Sequence, residues 1–177
     1  MKFKVFTVIF AVLILGFVFY KVLFTSPIAN ETSVQLIKAD KVLVEKAKRK
    51  MYLINKGKVF RTYNISLGKD PVGDKQKEGD NKTPEGMYVL DWRNNKSSCY
   101  KSIHISYPDK HDELRARKEM VPAGGNIMIH GLHPSLKTLG RLHTSYDWTN
   151  GCVAVTNEEM DEIWSSVKYG TIIEIRK

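Results

Sequence analysis

KVLVEKAKRKMYLINKGKVFRTYNIS, Lys41 to Ser66, is the stretch whose reading decides the fold. Lys41-Val42-Leu43-Val44-Glu45 and Lys50-Met51-Tyr52-Leu53-Ile54-Asn55 are β-rich runs, and Asn55-Lys56-Gly57-Lys58 is a turn between the second run and a third. From Val59 to Ser66 apolar and polar residues alternate, the period of a half-buried strand. Downstream, Gly68, Pro71, Gly73, Gly79, Pro84 and Gly86 mark a long loop or hairpin tip over 68–86. Gly86 to Trp92 and Ser102 to Tyr107 read as further strands, the latter ended by Pro108, and the charged run Asp109 to Met120 as a helix over the core. Gly124-Gly125 turns the chain into Ile127-Met128-Ile129, a buried strand that delivers His130. Thr156 is a helix N-cap candidate with Glu158 and Glu159 at the positive helix end. Met160, Ile163, Trp164 and Val167 follow at the spacing of a core-facing stripe. Gly170 ends that helix and Thr171 to Ile175 forms a last strand. The expected domain is mainly β with one or two packed helices.

Upstream of this domain, Lys2 and Lys4 precede a 16-residue uncharged apolar run, Val5 to Tyr20. Snorkelling of Lys21 extends the run to Phe24, close to the roughly 20 residues of a membrane span. Phe19, Tyr20, Leu23 and Phe24 crowd its end, and Thr25-Ser26-Pro27 is a poor cleavage site, which points to an uncleaved anchor rather than a removed signal peptide. The positive-inside rule keeps Lys2 and Lys4 cytoplasmic, so the remainder is expected outside. The chain thus divides into a signal-anchor segment (1–24), a linker (25–37) and a single domain (38–177).

The formal charge is +9, of which +6 falls on residues 22–177. Such a face suits anionic envelope polymers. The basic residues are scattered rather than striped and the domain is exported, which argues against nucleic acid as a partner. An exported pair of cysteines invites a disulfide between Cys99 and Cys152. The Gly-Cys context instead reads Cys152 as a free thiol and Cys99 as a small buried filler. Ile129-His130-Gly131 and Thr149-Asn150-Gly151-Cys152 then stand out, His and Cys 22 positions apart. A thiol is a nucleophile as thiolate, and a neighbouring imidazole is the commonest way to make one. Glycine on each side lets backbone approach a reacting carbonyl. The combination points to acyl transfer.

From Lys38 to Arg176 the chain resembles the L,D-transpeptidase (YkuD-like) catalytic domain family. The resemblance is carried by Gly79-Asp80-Asn81-Lys82-Thr83-Pro84-Glu85-Gly86, Ile105-Ser106-Tyr107-Pro108, Gly124-Gly125-Asn126-Ile127, Ile129-His130-Gly131 and Thr149-Asn150-Gly151-Cys152 followed by Asn157. It implies a β-sandwich-like enzyme that crosslinks or edits peptidoglycan, and the N-terminal segment places such an enzyme in the cell envelope, either inner-membrane anchored and facing the periplasm or exported after cleavage. The implied substrates are peptidoglycan stem peptides, a tetrapeptide donor and an amine acceptor, with no cofactor or metal and a monomeric chain. It implies Cys152 as nucleophile, His130 as general base and acid, and a backbone carbonyl at Gly131 as the orienter of the imidazole. The N–H groups of Gly151 and Cys152 are the natural oxyanion donors. Asn150 belongs to the same loop, and Tyr107, Thr149 and His104 are candidate substrate contacts. Two positions depart from the family pattern: Asn150 stands where a histidine is usual, and Ala154 where an arginine is usual.

Other readings follow from the same residues. His130, His133 and His143 are spaced like zinc ligands, with Asp147 or Cys152 to complete a site, but Pro134 breaks any helix carrying the first two. A sortase-like enzyme needs an arginine after the cysteine, and only Arg176 is available. A hydrolase of the same stems and a non-catalytic wall-binding module share the surroundings of the main reading. Tyr146-Asp147-Trp148 either pins the loop or faces substrate, pinning being the expected role.

Overall fold

A computed structural model describes residues 37–177. The signal-anchor segment and all of the linker except Ile37 lie outside the described residues. Among the described residues no helix is long and apolar enough to cross a membrane.

Eight strands form one sheet: β1 (Lys41–Glu45), β2 (Lys50–Asn55), β3 (Lys58–Asn64), β4 (Gly86–Ser97), β5 (Tyr100–Ile105), β6 (Met128–His130), β7 (Val153–Ala154) and β8 (Thr171–Arg176). Their order is β3-β2-β1-β8-β4-β5-β6-β7, antiparallel except for β1 with β8 and β6 with β7. The domain is mainly β, as the alternating runs predict, but it is one curled sheet rather than two stacked ones. Curling brings its ends together: Ser66, just past β3, bridges Ala154 of β7 through Ser66 N–H to Ala154 O (3.0 Å) and Ala154 N–H to Ser66 O (2.9 Å). Register shifts between β2 and β3 and between β4 and β5 mark bulges, which increase local twist and help a sheet bend back on itself. The core lies inside the curl, with Val42, Val44, Met51, Leu53, Ile103, Ile105, Ile129, Val153 and Ile173 fully enclosed.

Two helices pack on this frame. α1 (Lys110–Lys118) starts at Asp109, whose carboxylate accepts from the His111 and Asp112 N–H groups. α2 (Asn157–Ser166) starts at Thr156 with a reciprocal capping box to Glu159 and buries Met160 and Ile163, as its sequence pattern predicts. Two pieces read differently in the sequence. β4 runs on to Ser97 and pairs with β5 across a Ser98-Cys99 turn, so Cys99 is a half-buried turn residue rather than a filler. Pro134–Ser145 forms a 3-10 segment broken at Gly140, over the seam where the sheet ends meet.

Candidate active site

The register of the sheet assembles the site. Ser102 of β5 lies opposite His130, and His130 lies beside Ala154 of β7. Cys152, two residues before Ala154, falls beside Met128 in the same register. Ile129 and Val153 point into the core, so His130 and Cys152 project to the other face together. His130 thus ends β6 and Cys152 directly precedes β7, two residues before the partner of His130.

His130 is buried, and its Nδ1 lies 2.6 Å from the Gly131 carbonyl oxygen. A carbonyl only accepts, so Nδ1 carries the proton and Nε2 is left as the basic nitrogen. That contact stands where the resemblance implies an orienter of the imidazole. Gly131 is held in turn by its N–H to Lys101 O (3.1 Å), and a Cβ on it would come within 2.6 Å of Asn157 Oδ1. Trp148 packs edge-on against His130, with ring centroids 5.7 Å apart, and against His143 at 6.4 Å. His143 is fully buried, its Nδ1 3.2 Å from Ser66 Oγ. Burial, and then the neighbouring His130, push its pKa down to about 4. This second imidazole in the site's lining is legible in sequence only as a zinc-ligand candidate.

Cys152 is half-buried and its thiol faces the Asn126 carbonyl oxygen at 3.6 Å. Both cysteines are free thiols. Burial pushes the Cys152 thiol up to about 11, opposed by the Met128 N–H and the Lys75 charge, while burial holds the His130 imidazolium below its usual range. Both shifts favour the neutral pair in the free protein. Alkylation of Cys152 by iodoacetamide, followed by peptide mass, is therefore expected to climb about tenfold per pH unit from 7 to 10. A plateau below pH 8 would show a preformed thiolate instead.

The other predicted residues have defined places. Gly151 N–H donates to Thr149 Oγ1 (3.1 Å), which itself donates to Cys152 O (2.8 Å). Of the two predicted oxyanion donors, the Gly151 N–H is thus already engaged in this state, and the Cys152 N–H remains. Thr149 is buried within its own turn. Asn150 is exposed and accepts from Lys69 Nζ (3.2 Å). Tyr107 is buried, with its hydroxyl donating to Ala123 O (3.0 Å). His104 lies on the same sheet face as His130, paired with Met128. Asp147 pins its loop: it takes the Arg49 guanidinium (2.8–3.2 Å) and the Leu67 N–H (2.9 Å).

A cavity of about 340 Å³ adjoins Asn126, whose carbonyl the thiol faces, and is lined also by Lys75, Glu78, Gly79, Asn81 and Asn150. It shares Glu78 and Gly124–Asn126 with a groove of about 710 Å³ that reaches Glu113 and Arg117 of α1. Two buried lysines, which the sequence reading missed, anchor the 68–86 loop that forms one wall. Lys75 Nζ is bound by Asp80 (2.8 Å) and Lys77 O (3.0 Å). Lys46 Nζ donates to Gly73 O, Thr83 O and Glu85 Oε1 at 2.6–2.8 Å.

The rival constellations do not gather. His133 caps the 3-10 segment and contacts Ser135, His143 turns its Nδ1 to Ser66, and His130 faces Gly131. Among the described residues, the side chains that converge as metal ligands would are Asp109, His111 and Asp112, which form the start of α1. Arg176 is paired with Glu45 (2.7 Å).

Residues 39–175 match the family model described as the L,D-transpeptidase catalytic domain, YkuD. "Putative L,D-transpeptidase YafK" of Escherichia coli K12 is 29% identical over 150 residues, which cover 81% of this chain and 53% of that protein. The chain thus spans about half the length of the curated relatives it matches. Among solved structures, the helical cell shape determining protein Pgp2 of Campylobacter jejuni is similar with a TM-score of 0.58 and 25% identity, over 77% of this chain and 47% of that one. Bd1075 of Bdellovibrio bacteriovorus follows with a TM-score of 0.52 and 25% identity, over 76% and 46%.

Proposed function

Since this chain belongs to the L,D-transpeptidase catalytic domain family, we propose that it is a cysteine acyltransferase of peptidoglycan stem peptides. The observation that carries the reading is the oriented imidazole, His130 Nδ1–H on the Gly131 carbonyl, with Cys152 directly before the adjacent strand β7.

In this reading Cys152 Sγ attacks the carbonyl carbon between the third stem residue and the terminal D-alanine. His130 Nε2 takes the thiol proton as the C–S bond forms. The C–N bond then breaks, the proton passes to the leaving D-alanine amine, and a thioester remains on Cys152. An acceptor amine attacks the thioester, gives up a proton to His130, and leaves as a new amide while the thiol is restored. Water in its place makes the protein an L,D-carboxypeptidase. Transfer of the proton at the moment of attack suits a neutral resting pair. The Cys152 N–H supplies an oxyanion donor, and each such donor contributes about 3 kcal/mol. The cavity that adjoins Asn126 gives the leaving and incoming amines room. The site faces the envelope, held at the membrane by the N-terminal segment.

The test is incubation of the full chain with defined L,D-configured stem tetrapeptides. Intact mass is expected to rise by the donor less D-alanine, with the adduct on Cys152, and products with and without an added amine separate transfer from hydrolysis. No adduct with any such donor would sink the reading.

A further inference from the structure

Where β4 passes β5, Leu90 pairs with Ile105 and Arg93 with Ile103. Two residues of β4, Asp91 and Trp92, therefore stand opposite a single residue of β5, His104, which is a β-bulge. Both side chains meet that histidine. Asp91 Oδ1 lies 2.6 Å from His104 Nδ1, and the Trp92 indole stacks on the imidazole with centroids 5.1 Å apart and planes 17° from parallel. Trp92 stays 42% exposed.

The bulge lies in line with the nucleophile. His104 is directly opposite Met128, and the β6–β7 register continued one residue before Val153 sets Cys152 beside Met128, whose N–H meets the thiol. Neighbours across a ladder project to the same face. His104, Met128 and Cys152 thus form one cross-strand row, on the face away from Ile103, Ile105 and Ile129. Strands lie about 4.8 Å apart, so His104 is about 10 Å from Cys152 along the row and the bulge about 14 Å.

We propose that Asp91, Trp92 and His104 form a saccharide subsite that holds the amino-sugar ring carrying the donor stem. The proposal rests on the stem-peptide reading above and adds to it that the protein distinguishes wall glycan from free peptide. A sugar ring presents an apolar C–H face and a polar rim, and an exposed indole beside fixed acceptors complements both. Asp91 Oδ1 fixes His104, which leaves Asp91 Oδ2 and His104 Nε2 as acceptors for hydroxyl and acetamido N–H donors. The spacing fits as well. With the third stem residue's carbonyl at Cys152, three extended residues span about 10 Å, and the saccharide joined to the first falls over the bulge.

The experiment compares kcat/KM of the full chain for a disaccharide-tetrapeptide and for the free tetrapeptide. The native protein is expected to prefer the disaccharide form about tenfold, the Trp92→Ala variant to bring that ratio close to one, and Trp92→Phe to keep most of it. A native ratio of one overturns the proposal. So does a Trp92→Ala variant that loses activity on both donors alike, because the ratio is then preserved. Saturation-transfer NMR with the GlcNAc–MurNAc disaccharide and the Cys152→Ala protein reads the subsite without chemistry. Signal there that vanishes with Trp92→Ala supports the subsite even where no thioester forms, which would remove the stem reading alone. No signal overturns the subsite.

Discussion

Cys152→Ala protein incubated with stem tetrapeptides is expected to gain no mass and to turn over at least about 10³-fold more slowly than the native chain. No other described group replaces the sulfur. Cys99 lies in the β4–β5 turn, and its thiol is also held in the neutral form by burial. The substitution is gentle to the fold, because the thiol is half-buried and its polar contacts are with backbone alone, the Asn126 carbonyl at 3.6 Å and the Met128 N–H. Melting within a few degrees of native therefore accompanies the loss, and circular dichroism checks it. Cys152→Ser is expected to fare little better, since a hydroxyl has a far higher pKa than a thiol and faces a base already weakened by burial. A Cys152→Ala chain that fully restores a deletion phenotype would instead make the protein a wall-binding module. That outcome separates the two readings which share every surrounding motif.

Gly151→Ala is expected to lower stability by about 2–6 kcal/mol, which for a domain of this size is a fall in Tm of roughly 4–24 °C. Gly151 has φ +131°, a conformation that side chains rarely adopt, and strain of that kind costs about 1–3 kcal/mol. A Cβ there would also come within 2.7 Å of Lys82 O and 3.1 Å of Ile127 Cδ1. Lys82 cannot recede freely. The next residue, Thr83, is held by Lys46 at its carbonyl and by the Gly68 N–H at its hydroxyl. Overpacking against fixed backbone adds about 1–3 kcal/mol. Gly57→Ala is the matched control: φ is +74°, but a Cβ there meets nothing within 4 Å, so only the conformational cost remains. A Gly151→Ala protein that melts as high as the control would show that the loop yields.

The parts of this fold legible in sequence are those where one face is dry and the other wet. β1, β2 and α2 follow the residues that predict them because burial alternates along them with the period of their type. β4 beyond Trp92 was not legible. Arg93-Asn94-Asn95-Lys96-Ser97 has no dry face to write a pattern, and pairing with β5, with the Arg93 guanidinium on the Trp164 and Val167 carbonyls, holds it extended. The 3-10 segment is hidden for a related reason, since a three-residue repeat interrupted at Gly140 leaves no helical period. Closure of the sheet depends on Ser66 meeting Ala154, a pairing no local signal announces. At the candidate site, His130, Gly131 and Cys152 are legible because glycine beside a histidine or a cysteine is itself a signal. Lys46 and Lys75 are not, because a lysine reads as surface and their burial depends on backbone carbonyls that only the folded loop brings together. The loss of Gly151 N–H to Thr149 and the Asp91–Trp92 bulge both depend on geometry between neighbours, which composition does not carry.

The seam where the curled sheet meets itself has a consequence for working lifetime. Ser66 with Ala154, Lys69 N–H with Thr149 O (3.0 Å) and Thr149 N–H with Leu67 O (3.1 Å) clasp the turn that presents Cys152. Ser66, Leu67 and Ala154 are themselves fully buried, and Leu67 belongs to the same core as Val42, Ile103 and Ile173, so the clasp parts only as that core opens. In the acyltransferase reading the turn that carries Cys152 therefore shares the thermal margin of the β-core, and activity is expected to be lost with unfolding rather than ahead of it.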